Sequence, residues 1–131
     1  MKDEDFRQMT IKVTPKPGTG TGNEIECDIS GTNVCDDAIF LPKTGNYEIT
    51  FEIDPKVTAD WKKADPFCAR LKKCPRRGSP SHGLMQVKCV AADLQSFIVE
   101  ARASPIPARQ VFHYRLNFAD GATCDPIIIR D

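Results

Sequence analysis

Strict alternation of apolar and polar side chains over nine consecutive residues, NYEITFEID at 46–54, constrains this chain more than any other feature. Tyr47, Ile49, Phe51 and Ile53 fall on one side of an extended backbone, and Glu48, Thr50, Glu52 and Asp54 on the other. Successive side chains of a strand point to opposite faces, so the pattern dictates a strand with one face in a core and one in water. RQVFHYRLNF at 109–118 repeats it, with Phe112, Tyr114, Leu116 and Phe118 opposite His113, Arg115 and Asn117. Weaker strands are predicted at 9–13 (MTIKV), 24–29 (EIECDI), 84–91 (LMQVKCVA), 96–102 (SFIVEAR) and 126–130 (PIIIR).

The punctuation agrees. PKPGTGTGN at 15–23 is too rich in Pro and Gly to lie inside a strand, and KTGN at 43–46 and SPIP at 104–107 read as turns. Asp120-Gly121 supplies the positive φ of a tight hairpin turn. No internal repeat is visible.

One stretch departs from this rhythm: WKKADPFCARLKKCPRRGSPSH at 61–82. Asp65 can cap a helix, Pro66 suits its first position, and Phe67, Leu71 and Cys74 recur on one helical face. Lys72 and Lys73 suit the negative end of the dipole, and Pro75 ends the helix. The prediction is mainly β: one antiparallel immunoglobulin-like β-sandwich of about seven strands, with a short helix in an inter-strand insert at 56–82. A length of 131 residues suits a single domain spanning the chain.

Composition narrows the class. With 40% hydrophobic residues, 27% charged and a formal net charge of zero, the chain is too apolar and too neutral for intrinsic disorder. No apolar run approaches the roughly 18 residues that cross a bilayer. The start, MKDEDFRQ, has no apolar stretch of signal-peptide type, so the protein either stays inside the cell or begins after a removed signal.

The neutrality conceals an uneven distribution. Residues 1–55 carry 5 basic and 11 acidic side chains, whereas 56–82 carry 8 basic and 2 acidic. Such a patch can hold an anionic or protein partner, and Trp61, Lys62, Lys63, Arg70, Lys72, Lys73, Arg76 and Arg77 are the candidate contacts. The plainer alternative is a solvated loop. Trp61 and Phe67 interleave with lysines as nucleic-acid stacking residues do, but Phe67 and Leu71 also fit a buried helix face and no nucleic-acid motif is present, so nucleic acid is the lesser alternative.

Six cysteines admit 15 disulfide connectivities, and there is no CxxC for a zinc or thioredoxin-type motif. Cys27 shares a strand face with Ile25 and Ile29, and Cys89 with Met85 and Val87. Both are therefore expected to face the core, as an inter-sheet bridge or as free thiols. Cys35, Cys68, Cys74 and Cys124 sit in or beside loops. Disulfides would imply export to a periplasmic or extracellular space, and free thiols the cytoplasm. A metal site from Cys68, Cys74, His82 and one further ligand is an alternative. Catalytic motifs are absent, no cofactor is expected, and His113 reads as an exposed strand residue.

The C-terminal pattern, Tyr114-Arg-Leu-Asn-Phe followed by Asp120-Gly121 and Asp125-Pro126-Ile-Ile-Ile, resembles the end of small uncharacterised bacterial immunoglobulin-like β-sandwich proteins. The resemblance covers about the last 20 residues and implies a fold and a bacterial origin, but no activity. Together these observations point to a binding module that offers a basic loop insert or an edge strand to a partner.

Overall fold

The computed structural model describes residues 6–16, 23–31, 33–35, 38–42, 45–70, 85–103, 110–125 and 127–130. Among them run eleven strands: β1 (Phe6–Lys16), β2 (Glu26–Ser30), β3 (Val34–Cys35), β4 (Ala38–Leu41), β5 (Asn46–Ile53), β6 (Phe67–Arg70), β7 (Met85–Val90), β8 (Ser96–Ala101), β9 (Gln110–Asn117), β10 (Thr123–Cys124) and β11 (Ile127–Arg130). All seven predicted strands are present. The four additional ones are short, at two to four residues each.

The strands form two sheets. The first has the order β2-β1-β5-β8-β7, and the second β10-β9-β11-β4-β3 with β6 also on β9. Leu116 pairs with both Phe67 and Cys124, so β6 lies on one side of β9 and β10 on the other. The sheets are mixed rather than antiparallel, because β1 runs parallel to β5 and β4 parallel to β11. Between β1 and β5 the chain passes through β3 and β4 of the other sheet, which supplies the long crossover that a parallel pair needs.

The tilt of the core toward aromatics follows from the alternation. Phe51 of β5 lies 5.1 Å from Phe97 of β8 within its own sheet, and 5.7 and 5.8 Å from Phe67 and Tyr114 of the other. Trp61 meets Phe97 edge-on at 4.8 Å and stacks on Phe118 at 4.8 Å. These rings join the two sheets into one core. Aromatic pairs at such spacings contribute about 0.5–1.5 kcal/mol each beyond the area they bury.

Three local expectations fail, each for a physical reason. The helix is not seen: Phe67–Arg70 is extended and pairs antiparallel with β9, while 71–74 lie outside the described residues. Pro66, Phe67, Cys68 and Ala69 are all buried, and a short run buried on both sides carries no period that separates strand from helix. The ladder to β9 decides it. Pro15 and Lys16, placed in the preceding turn region by their neighbours, instead extend β1 against β2. A proline fits there because β5 ends opposite Val13, leaving β1 a single neighbour.

Cys89 is exposed rather than core-facing. The β7–β8 register shifts between Val87 and Cys89, so Val87 pairs with Val99 but Cys89 with Ile98. One extra residue at the bulge rotates Cys89 off the face it shares by count with Met85 and Val87. A bridge from Cys27 to Cys89 is therefore not formed, and none of the five described cysteines is in a disulfide. The Asp120-Gly121 turn does form: Gly121 has φ +94°, and the Phe118 amide donates to the Ala122 carbonyl at 2.9 Å.

Candidate functional site

Two clefts open at the end of the molecule around this hairpin. After β5, Asp54 turns the chain by accepting the Lys56 amide at 3.0 Å on its carboxylate and the Val57 amide at 2.9 Å on its carbonyl. The following segment, 58–61, is tied down by Gln95, whose Nε2 donates to the Ala59 carbonyl at 2.9 Å and to Asp60 Oδ1 at 2.7 Å. The Trp61 amide donates to Leu94, and the Ala119 amide to Asp60, each at 2.9 Å. The hairpin tip is stiffened in turn by the Ala122 amide donating to Asp120 Oδ1 at 2.9 Å.

Between these pieces opens a cleft of about 370 Å³. Phe118 forms part of its wall, with Pro15, Ile25, Ala59, Ala119 and Ala122 adding apolar surface. Asp60 and Asp120, both exposed, place two carboxylates beside that surface. The site is built from four separate parts of the chain, so its apolar walls and acidic groups are held by backbone ladders rather than by one loop. An apolar hollow with a few convergent polar groups is the usual form of a binding site.

On the other side of the hairpin, a smaller cleft of about 220 Å³ has a cationic lining: Lys62, Arg115, Asn23, Asn117 and Thr123 surround it. Arg115 is held by Asp125, with Nε 3.2 Å from Oδ1. A third hollow, of about 470 Å³, contains Cys27 and Cys124 with Lys16, Glu26, Asp28 and Asp125. Lys16 pairs with Asp28 across the β1–β2 ladder at 3.1 Å.

The residues singled out in the sequence are scattered by comparison. Trp61 is fully buried, and its indole Nε1 finds no hydrogen-bond partner among the described residues. It is a core residue, corrected from a surface contact, because its ring fills the space between Phe97 and Phe118. Lys62 reaches the cationic cleft and Lys63 is exposed. Arg70 places its backbone opposite His113 in β9. Lys72, Lys73, Arg76 and Arg77 lie outside the described residues, as do Cys74 and His82.

Of the alternative metal ligands, Cys68 is buried in β6, and no group of three or more His, Cys, Asp or Glu side chains forms a metal cluster among the described residues. No helix among them is long and apolar enough to cross a membrane. The sequence reading missed the cleft because its lining comes from residues 15, 25, 58–60 and 118–122. Only the Asp120-Gly121 turn signal pointed to any part of it. Comparison with protein-family models, curated proteins and solved structures returned no match for this chain.

Proposed function

We propose that this protein is a non-catalytic binding module that takes an apolar side chain of a partner protein into the hairpin-end cleft, with a neighbouring Lys or Arg of that partner meeting Asp60 and Asp120. The observation that carries this reading is the cleft itself: about 370 Å³ of mostly apolar lining beside two exposed carboxylates. Burying one leucine- or phenylalanine-sized side chain there contributes about 1.5–3 kcal/mol. The adjacent acidic pair favours a basic partner and disfavours an acidic one, which adds specificity more than affinity.

The immunoglobulin-like relationship belongs to the same reading. Two sheets sharing one aromatic core support it, and the parallel β1–β5 and β4–β11 pairs are this chain's departures from a purely antiparallel arrangement. Among the described residues, no basic side chain lines this cleft.

Panning a random peptide library against the folded protein tests the proposal. Selected peptides should carry an aliphatic or aromatic residue beside Lys or Arg. Ala119→Trp, an exposed position on the cleft wall, should weaken them by about tenfold or more, equivalent to about 1.4 kcal/mol. Replacing Lys72, Lys73, Arg76 and Arg77 together with Ser should leave that binding unchanged. Acidic peptides that ignore Ala119→Trp but are lost with the four-residue variant would transfer the function to the basic insert.

A further inference from the structure

Where the chain leads into β2, it changes sheets. Glu24 pairs in parallel with Thr123 of the second sheet, the Ile25 amide donating to the Thr123 carbonyl and the Thr123 amide to the Asn23 carbonyl, both at 2.8 Å. From Glu26 onward the same stretch pairs with β1 in the first sheet. This transfer carries Cys27 to the edge of one sheet while Cys124 sits in β10 of the other. The two thiols line one hollow, and Cys27 is the neighbour that most raises the Cys124 thiol above its ordinary range. Cys27 is half-buried and Cys124 buried, whereas Cys35 and Cys89 are exposed and neither lines this hollow among the described residues.

We infer that Cys27 and Cys124 form a reversible disulfide site that fastens the two sheets to each other at their β2 and β10 edges. The oxidant is a small dialkyl disulfide such as oxidised glutathione. Cys27, the more accessible sulfur, loses its proton and attacks one sulfur of the oxidant; that S–S bond breaks and one thiol leaves with the proton. Cys124 then attacks Cys27 in the mixed disulfide, a second thiol leaves carrying the Cys124 proton, and the Cys27–Cys124 bond forms. Two protein thiols are oxidised and one disulfide is reduced to two thiols, so electrons and protons balance.

The order of attack follows from the surroundings. Hydrogen bonding to Cys27, and then burial, push the Cys124 thiol above its ordinary range, so Cys124 is a poor first nucleophile. It is well placed as the second, because the reaction delivers the sulfur it attacks to within contact.

The test uses the full chain in glutathione buffers of graded redox potential, with intact-mass measurement and peptide mapping after alkylation of remaining thiols. The expected result is loss of two hydrogens, a cross-linked peptide joining Cys27 to Cys124, and a Tm raised by roughly 10 °C over the reduced protein. Cys27→Ala should abolish that cross-link, and Cys89→Ala should leave it intact. As Cys124→Ala removes a buried side chain, Cys27→Ala serves as the variant less exposed to a folding defect. Alkylation of both Cys27 and Cys124 in folded protein under oxidising buffer would overturn the inference, and so would a dominant pairing of either with another cysteine.

Discussion

The two sheets meet in one core, yet the short strands of the second are built from a different kind of sequence than β5 and β8 of the first. In the first sheet, β5 and β8 alternate buried and half-exposed residues without a break from Tyr47 to Ile53 and from Phe97 to Ala101. In the second, β9 keeps the same alternation from Val111 to Asn117, but the strands around it bury neighbouring residues together: Ala38 with Ile39, Phe67 with Cys68 and Ala69, and Ile128 with Ile129. A strand with one wet face writes its fold into its own sequence, because each side chain reports which face it occupies. A strand shielded on both faces becomes a short apolar run whose structure depends on what it pairs with.

This difference predicts how the sheets respond to substitution. The largest effect belongs to the ring that joins them. Trp61→Ala should cost about 3–5 kcal/mol in urea unfolding, since it leaves Phe97 and Phe118 facing a cavity. A loss below about 1 kcal/mol would mean that the aromatic cluster does not couple the sheets.

A smaller contrast separates the sheets directly. Cys68 sits on the side of β6 opposite Phe67 and is only 3% exposed, so Cys68→Ser should cost about 1–3 kcal/mol by burying a more strongly hydrated hydroxyl in place of a thiol. Glu52 occupies an outward position of β5, and Glu52→Ser should change stability by less than about 0.5 kcal/mol. Equal effects in chemical denaturation would erase the distinction between one-faced and two-faced strands.

The smallest effect lies on the solvent side of the first sheet. Lys88 of β7 and Gln8 of β1 both donate to Glu48 of β5, at 2.5 and 2.6 Å. The Lys88 hydrogen bond, and then that of Gln8, hold the Glu48 carboxyl below its ordinary value. A carboxylate depressed in the folded state contributes stability above its unfolded pKa, near 4.3, and loses it as pH falls through the folded value. Thermal melts from pH 7 to pH 3 should therefore show Glu48→Gln slightly less stable at neutral pH and converging on the parent in acid. A gap that widens toward acid would contradict this network.

Legibility followed the same division. Tyr47, Ile49, Phe51 and Ile53 announced β5, and Asp120-Gly121 announced the hairpin, because both signals are local. AIFL at 38–41 gives no strand signal and FCAR at 67–70 fits a helix, because both lack a period of two and depend on β11 and β9 for their ladders. The core-facing position expected for Cys89 comes from counting residues through a bulge that composition does not mark. The candidate cleft was illegible for the same reason on a larger scale: Pro15, Ile25, Ala59 and Phe118 come together only after both sheets have formed.

The central claim is that long-range pairing with β9 makes a strand of Phe67–Arg70 and so adds it to the second sheet. Nuclear Overhauser contacts in isotopically labelled protein test it most directly. Cross-strand contacts should link Phe67 with Leu116 and Ala69 with Tyr114, with strong sequential contacts along 67–70. Helical contacts three residues apart through this segment, without any to β9, would contradict the account.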